Sequence, residues 1–167
     1  AITSSGLFSA PPSCLSGVNT MTLRELLEAG KLKEQRPTAA EIRALLRKAE
    51  EHLRSAQIDQ SADVRFETAY TAARLLCTVV LRAAGYRVVA SERHHQITIE
   101  ALPQIMGPAQ LRRAEYYDEC RRRRGDVTYQ AIPSATEREV QDLVQDLQRF
   151  RPQVEAWLRE RHPDLMR

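Results

Sequence analysis

The sequence predicts an all-α protein, an antiparallel up-and-down bundle of five to six helices, and three observations carry that reading. Glycine is scarce, with 6 residues in 167, and aromatics make up 5%, while Ala, Leu, Glu and Arg are abundant, a balance that favours helix over sheet. Every long periodic segment repeats its apolar residues at three-four spacing. The signature Ser/Thr-x-x-Glu recurs at the head of those segments, where a hydroxyl and a carboxylate satisfy the free amides of a helix start. A chain of this length fits one domain with a sizeable core.

Residues 1–20, AITSSGLFSAPPSCLSGVNT, carry no charge and stop before Met21. They read as a leader or flexible arm foreign to the rest of the chain, and the domain is placed at residues 21–167. Thr22-x-x-Glu25 is a capping box opening a short helix, with Gly30 as its terminator. Thr38-x-x-Glu41 is a second box, and Ile42, Leu45, Leu46, Ala49, Leu53 and Ala56 give its helix one apolar face.

Residues 61–84 form the strongest helix, closed by Gly85. Glu67, Thr71, Arg74, Thr78 and Arg82 fall on one narrow stripe, and apolar residues cover the rest of the circumference, which places this helix at the centre of the bundle. The stripe is either a solvated edge or, at Glu67 and Arg74, one wall of a cleft. Tyr86–Arg93 reads as a loop, because Val88 and Val89 are too short a run for a strand. His94 and His95 precede another amphipathic helix in which Pro103 is expected to bend or end a turn. Adjacent histidines face different directions, and no further His or Cys has ligand spacing, so neither metal nor cofactor is expected and packing, capping or partner contact suits the pair better.

Pro108 restarts the chain into a helix whose later part, Tyr116 to Tyr129, reads YYDECRRRRGDVTY. Its four arginines are not equivalent. Asp118 stands four residues before Arg122 and Glu119 four before Arg123, the favourable order for helical ion pairs. Arg124 has Cys120 at i−4 and Tyr116 at i−8, so it shares the apolar face and must satisfy its guanidinium with a carboxylate, a carbonyl or a bound phosphate. Gly125 is expected to bend or end this helix, since a mid-helix glycine costs about 1 kcal/mol relative to alanine. Ser134-x-x-Glu137 and Thr136-x-x-Glu139 offer overlapping starts for the last helix, whose apolar positions Val140, Leu143, Val144, Leu147, Val154, Trp157 and Leu158 keep one phase across a kink at Pro152. The polar tail is expected to fray.

With 25 basic and 22 acidic residues the net charge is only +3, so any anion site is local. Between residues 110 and 124 six arginines stand against Glu115, Asp118 and Glu119. Three cysteines, at 14, 77 and 120, without CxxC spacing suit a reduced, cytoplasmic protein, and no apolar run is long enough for a membrane helix.

The runs RFETAYTAARLL at 65–76, GYR at 85–87, RHHQITIEALP at 93–103 and RRRRGDVTY at 121–129 resemble, in content and order, the HEPN superfamily of higher eukaryote and prokaryote nucleotide-binding domains. They are most similar to small stand-alone bacterial members with an Arg-Asn-x-x-x-Tyr signature, over about Thr38 to Leu158. The resemblance implies a helical bundle that dimerises and, in active members, a metal-independent ribonuclease carrying Arg-x4-6-His, often paired with a minimal nucleotidyltransferase as toxin and antitoxin. On that motif Arg124 matches the arginine, Gly125 stands where asparagine is usual, and Tyr129 occupies the histidine position. Tyrosine, with a reference pKa near 10, is a poor base at neutral pH, whereas histidine titrates near 6.5. The anion-binding half of the motif is kept and its usual proton-transfer half is not.

Three readings stay open. The first is a module, with Arg121, Arg124, Tyr129, Glu67 and Arg74 as its candidate ligand residues, that binds RNA, a nucleotide or a partner protein without efficient nuclease activity. The second is a ribonuclease toxin in which His94, His95 or a partner subunit supplies the base. In the third, Arg124 and Tyr129 only cap helices and close a homodimer interface, which the few charges on the helix at 61–84 would favour.

Overall fold

The computed structural model describes residues 20–58, 60–129 and 135–167, without the side chains of 125–129. The reading of residues 1–20 as a leader therefore lies almost wholly outside the described residues. Six α-helices are present among them: α1 (Leu23–Glu28), α2 (Ala39–Ser55), α3 (Ala62–Ala83), α4 (His94–Met106), α5 (Leu111–Tyr129) and α6 (Glu137–Arg161). The fold is an all-α helical bundle with a two-stranded ribbon at one side.

The helix starts follow the capping chemistry. Thr22 and Glu25 form a complete box, and so do Thr136 and Glu139, which settles the overlapping starts of α6 in favour of the second. At α2 only half a box forms. Thr38 accepts from the Glu41 amide at 3.1 Å, but the Glu41 carboxylate is taken by Arg82 of α3. Helix α1 ends where its glycine predicts: Gly30 adopts φ +69, its amide bonds the Leu27 carbonyl, and that of Lys31 bonds Leu26. This is the paired bonding that a left-handed residue past the last turn allows.

Helix α3 is central, packing against α2, α4, α5 and α6. Its buried residues, among them Tyr70, Ala73, Leu76, Cys77 and Val80, meet Ile42, Leu46 and Leu53 of α2, Tyr117 and Cys120 of α5, and Leu143, Leu147 and Phe150 of α6. These apolar residues of α3 are buried by contacts within the chain. Burial pushes the Cys77 thiol up to about 12, so it packs as a small hydrophobe.

Tyr86–Val88 is not a loop. It forms strand β2, antiparallel to β1 (Leu32–Glu34), with Leu32 opposite Val88 and Glu34 opposite Tyr86. The partner lies more than fifty residues upstream, so local pattern could not supply it. Arg82, 4% exposed, secures the ribbon: its Nε and Nη2 donate to Glu41 at 2.7 and 2.9 Å, and its Nη1 donates to the Gln35 and Tyr86 carbonyls at 3.3 and 3.0 Å.

Gly125 does not end α5, which runs unbroken to Tyr129. The two residues before the glycine are held by two different helices, Arg123 by Glu139 of α6 at 3.0 Å and Arg124 by Glu67 of α3 at 2.6 Å, contacts that offset the roughly 1 kcal/mol glycine penalty. Pro103 and Pro152 likewise sit inside continuous helices. The tail does not fray: Pro163–Met166 is a 3-10 turn whose Leu165 and Met166 pack on the core.

Candidate functional site

Three helices bring their polar residues together at one place. Glu67, Tyr70 and Arg74 stand at i, i+3 and i+7 on α3, so one face of that helix presents all three. Arg121 and Arg124 stand one turn apart on α5, and His95 lies in the first turn of α4. The Arg124 Nε donates to the Glu67 Oε2 at 2.6 Å, and the Arg124 guanidinium carbon lies 5.5 Å from the centre of the Tyr70 ring. Tyr70 also faces the His95 ring at 6.3 Å, and His95 in turn meets His94 edge-on at 4.1 Å. His94 donates from Nδ1 to the Ser91 carbonyl at 2.6 Å, which fixes its ring.

The electrostatics are those of a partly buried basic cluster. Burial, and then charge interactions led by Arg74, press the His95 pKa down to about 4, so its imidazole is neutral at pH 7. Burial pushes the Tyr70 phenol up to about 12 against the opposing pull of Arg124, Arg121 and Arg74, so its hydroxyl keeps its proton. That hydroxyl is buried and has no hydrogen-bond partner among the described residues, and its residue is only 1% exposed. Leaving such a group unmet costs about 1–3 kcal/mol. The Arg74 guanidinium makes no ion pair or hydrogen bond among the described residues, although Arg74 is half-buried. A guanidinium without a carboxylate, beside a phenol without an acceptor, is a donor set fitted to an anion's oxygens.

Comparison with protein-family models, with curated proteins and with solved structures gives no match. The site therefore rests on its own geometry.

Of the candidate residues named from the sequence, the structure brings Glu67, Arg74, Arg121 and Arg124 into this cluster. The side chain of Tyr129 lies outside the described residues. The pairings along α5 differ from simple i,i+4 expectation. Asp118 reaches Arg121 at 2.7 Å as well as Arg122 at 3.4 Å, and Arg123 finds Glu139 across the helix interface. Arg124, whose i−4 neighbour is Cys120, meets an acidic partner on α3, Glu67. Two members of the cluster are not legible as ligand residues in the sequence. Tyr70 reads there as apolar face, although it stands a turn from both Glu67 and Arg74 and its hydroxyl is the available signal. His95 reads there as packing, capping or partner contact, or as the base of the ribonuclease reading, but not as a ligand residue.

Other polar groupings are committed elsewhere. Arg113 grips Asp146 through both oxygens at 3.0 Å, the Tyr117 hydroxyl donates to the same carboxylate at 2.7 Å, and Phe150 lies 4.5 Å from the guanidinium, a network whose members satisfy one another. A groove of about 740 Å³ between α4 and α5 has an apolar floor of Ile99, Pro103 and Leu111 and is separate from the cluster. Among the described residues no three His, Cys, Asp or Glu side chains converge as metal ligands, and no helix is long and apolar enough to cross a membrane.

Proposed function

We propose that this chain is a HEPN-like module that binds the phosphate of RNA or of a nucleotide at the cluster of Arg74, Arg121 and Arg124. The observation that carries this is that, among the described residues, the half-buried Arg74 has no ion pair and the buried Tyr70 hydroxyl beside it has no hydrogen-bond partner. A purely structural arginine at this depth is met by a carboxylate or carbonyls, as Arg82 and Arg113 are in this same protein. The order of motifs and the helical bundle are in keeping with the HEPN resemblance. The test is retention and cleavage of a labelled RNA in EDTA by the protein and by its Arg74→Ala and Arg124→Ala variants. Retention that all three share would remove the cluster from the function.

A second reading is metal-independent RNA cleavage, as the toxin of a nucleotidyltransferase pair, and the position of His95 favours it. The imidazole lies beside the arginines, neutral at pH 7 and so able to accept a proton. Its low basicity sets that activity far below that of an unperturbed histidine, and the same EDTA assay reads it.

A further inference from the structure

Arg124 already holds an anion. Its partner carboxylate, Glu67, is 46% exposed and the Arg124 side chain 36% exposed, so the contact lies at the surface, where an ion pair contributes little and exchanges readily. Among the described residues, three guanidinium groups, Arg74, Arg121 and Arg124, stand around that contact with two carboxylates, Glu67 and Asp118. The carboxylate therefore occupies the position that a phosphate oxygen would take on Arg124, and a ligand must displace it.

Resting on the anion-site reading above, we propose that Glu67 is an exchangeable occupant of the phosphate position, and that the cluster selects a terminal phosphate monoester over an internal phosphodiester. A phosphodiester carries one negative charge. Exchanging it for Glu67 trades one monoanion for another on the same donor, with no electrostatic gain. A phosphate monoester carries close to two charges at pH 7 and three terminal oxygens. It replaces Glu67 on Arg124 and still has charge and acceptors for Arg74 and for the Tyr70 hydroxyl. The His95 ring, neutral at pH 7, offers its N–H or lone pair to a ligand hydroxyl.

The experiment measures fluorescence anisotropy of one short oligoribonucleotide, labelled at its 3′ end, with either a 5′-phosphate or a 5′-hydroxyl, at pH 7.5 in EDTA. Adenosine monophosphate serves as competitor, and the parent, Glu67→Gln and Arg124→Ala proteins are compared, each checked for an unchanged thermal transition. The parent is expected to prefer the phosphorylated end about tenfold or more, the return from additional charge-assisted hydrogen bonds. Glu67→Gln is expected to bind the 5′-hydroxyl RNA more tightly and to narrow the preference. Competition by the mononucleotide at equal strength assigns the monoester to a free nucleotide, and weak competition assigns it to an RNA end; either supports the proposal. Equal parent affinity for both RNAs, lost in Arg124→Ala, overturns the selectivity and leaves the anion site standing. Weaker binding of both RNAs by Glu67→Gln makes that residue a support for Arg124 and overturns the exchange. Absence of binding by the parent to every probe overturns this proposal and the anion-site reading together.

Discussion

Arg82 and Glu41 meet through two parallel hydrogen bonds of 2.7 and 2.9 Å, the same chemistry that joins Arg124 to Glu67, yet the two arginines have opposite surroundings. Arg82 is sealed between α2, α3 and the strand ribbon, where its Nη1 is satisfied by backbone carbonyls. Arg124 stays over a third exposed beside Arg74. One pair closes the structure and the other lies where a ligand can reach it. Removing Glu41 strands a buried guanidinium, so Glu41→Ala is expected to destabilise the protein by about 3 kcal/mol. Glu137→Ala, which removes an exposed partner of Arg65, is expected to cost under about 1 kcal/mol. Urea unfolding of both variants checks the contrast, and equal losses would show that burial does not separate them.

Stability is expected to fall as the pH is lowered, in two steps. Burial and the neighbouring arginines hold the folded His95 near 4, while the unfolded chain takes up the proton near 6.5. Between those values the unfolded state binds more protons, so the stability present above pH 6.5 is lost on the way down to 4. His162, lowered by burial and then by Arg161, acts in the same direction. Below about 4.5 the carboxylates come into play: Glu41 is lowered chiefly by its hydrogen bond from Arg82, and Glu139 by that from Arg123, so each contributes stability above its unfolded value that is lost as it protonates. Thermal midpoints measured from pH 8 to 3 test this, and His95→Gln should flatten the upper step. A midpoint that rises from pH 6.5 to 5 would contradict it.

How much of the fold is legible in the chain depends on the range of the interactions. The caps at Thr22 and Thr136, the turn at Gly30 and the apolar stripes are set within a few residues, and they place the helices. The β1–β2 ribbon is hidden because Leu32 and Val88 have no local reason to be extended apart from each other. Glu41 looks like half of a capping box because its competitor, Arg82, lies a helix away. Gly125 looks like a breaker because its flanking anchors, Glu139 and Glu67, belong to other helices. The candidate site is legible only in part for the same reason. The stripe on α3 and the odd arginine on α5 are visible, but their meeting, with Tyr70 and His95 beside them, is tertiary.

The Tyr70 hydroxyl separates a packing role from a binding role. It is buried without a partner among the described residues, so Tyr70→Phe removes an unmet polar group while keeping the ring against Arg124 and His95. The variant is expected to be as stable as the parent or more so by differential scanning fluorimetry. Its affinity for the phosphorylated RNA is expected to drop by about 1 kcal/mol, the net value of one hydrogen bond. A loss of stability with unchanged binding would show that the hydroxyl is satisfied within the folded protein.

The arginines of α5 and α3 should divide by position and not by charge. Arg124→Ala and Arg74→Ala each remove a guanidinium from the cluster, and each is expected to weaken RNA or nucleotide binding by about 1–3 kcal/mol. Arg122 is 62% exposed and already faces Asp118, so Arg122→Ala removes only a screened, longer-range attraction and should cost less than about 0.5 kcal/mol at physiological salt. Arg123 is engaged by Glu139, and its loss is expected to appear in the melting temperature before it appears in binding. Titrations at two salt concentrations make the division sharper. A site of fixed geometry keeps its ranking of variants as salt rises, whereas a diffuse basic patch loses affinity evenly and gives all four substitutions the same effect. Equal effects in that experiment would assign the attraction to the whole arginine run and leave the convergence of Arg74, Tyr70 and Arg124 without a binding role.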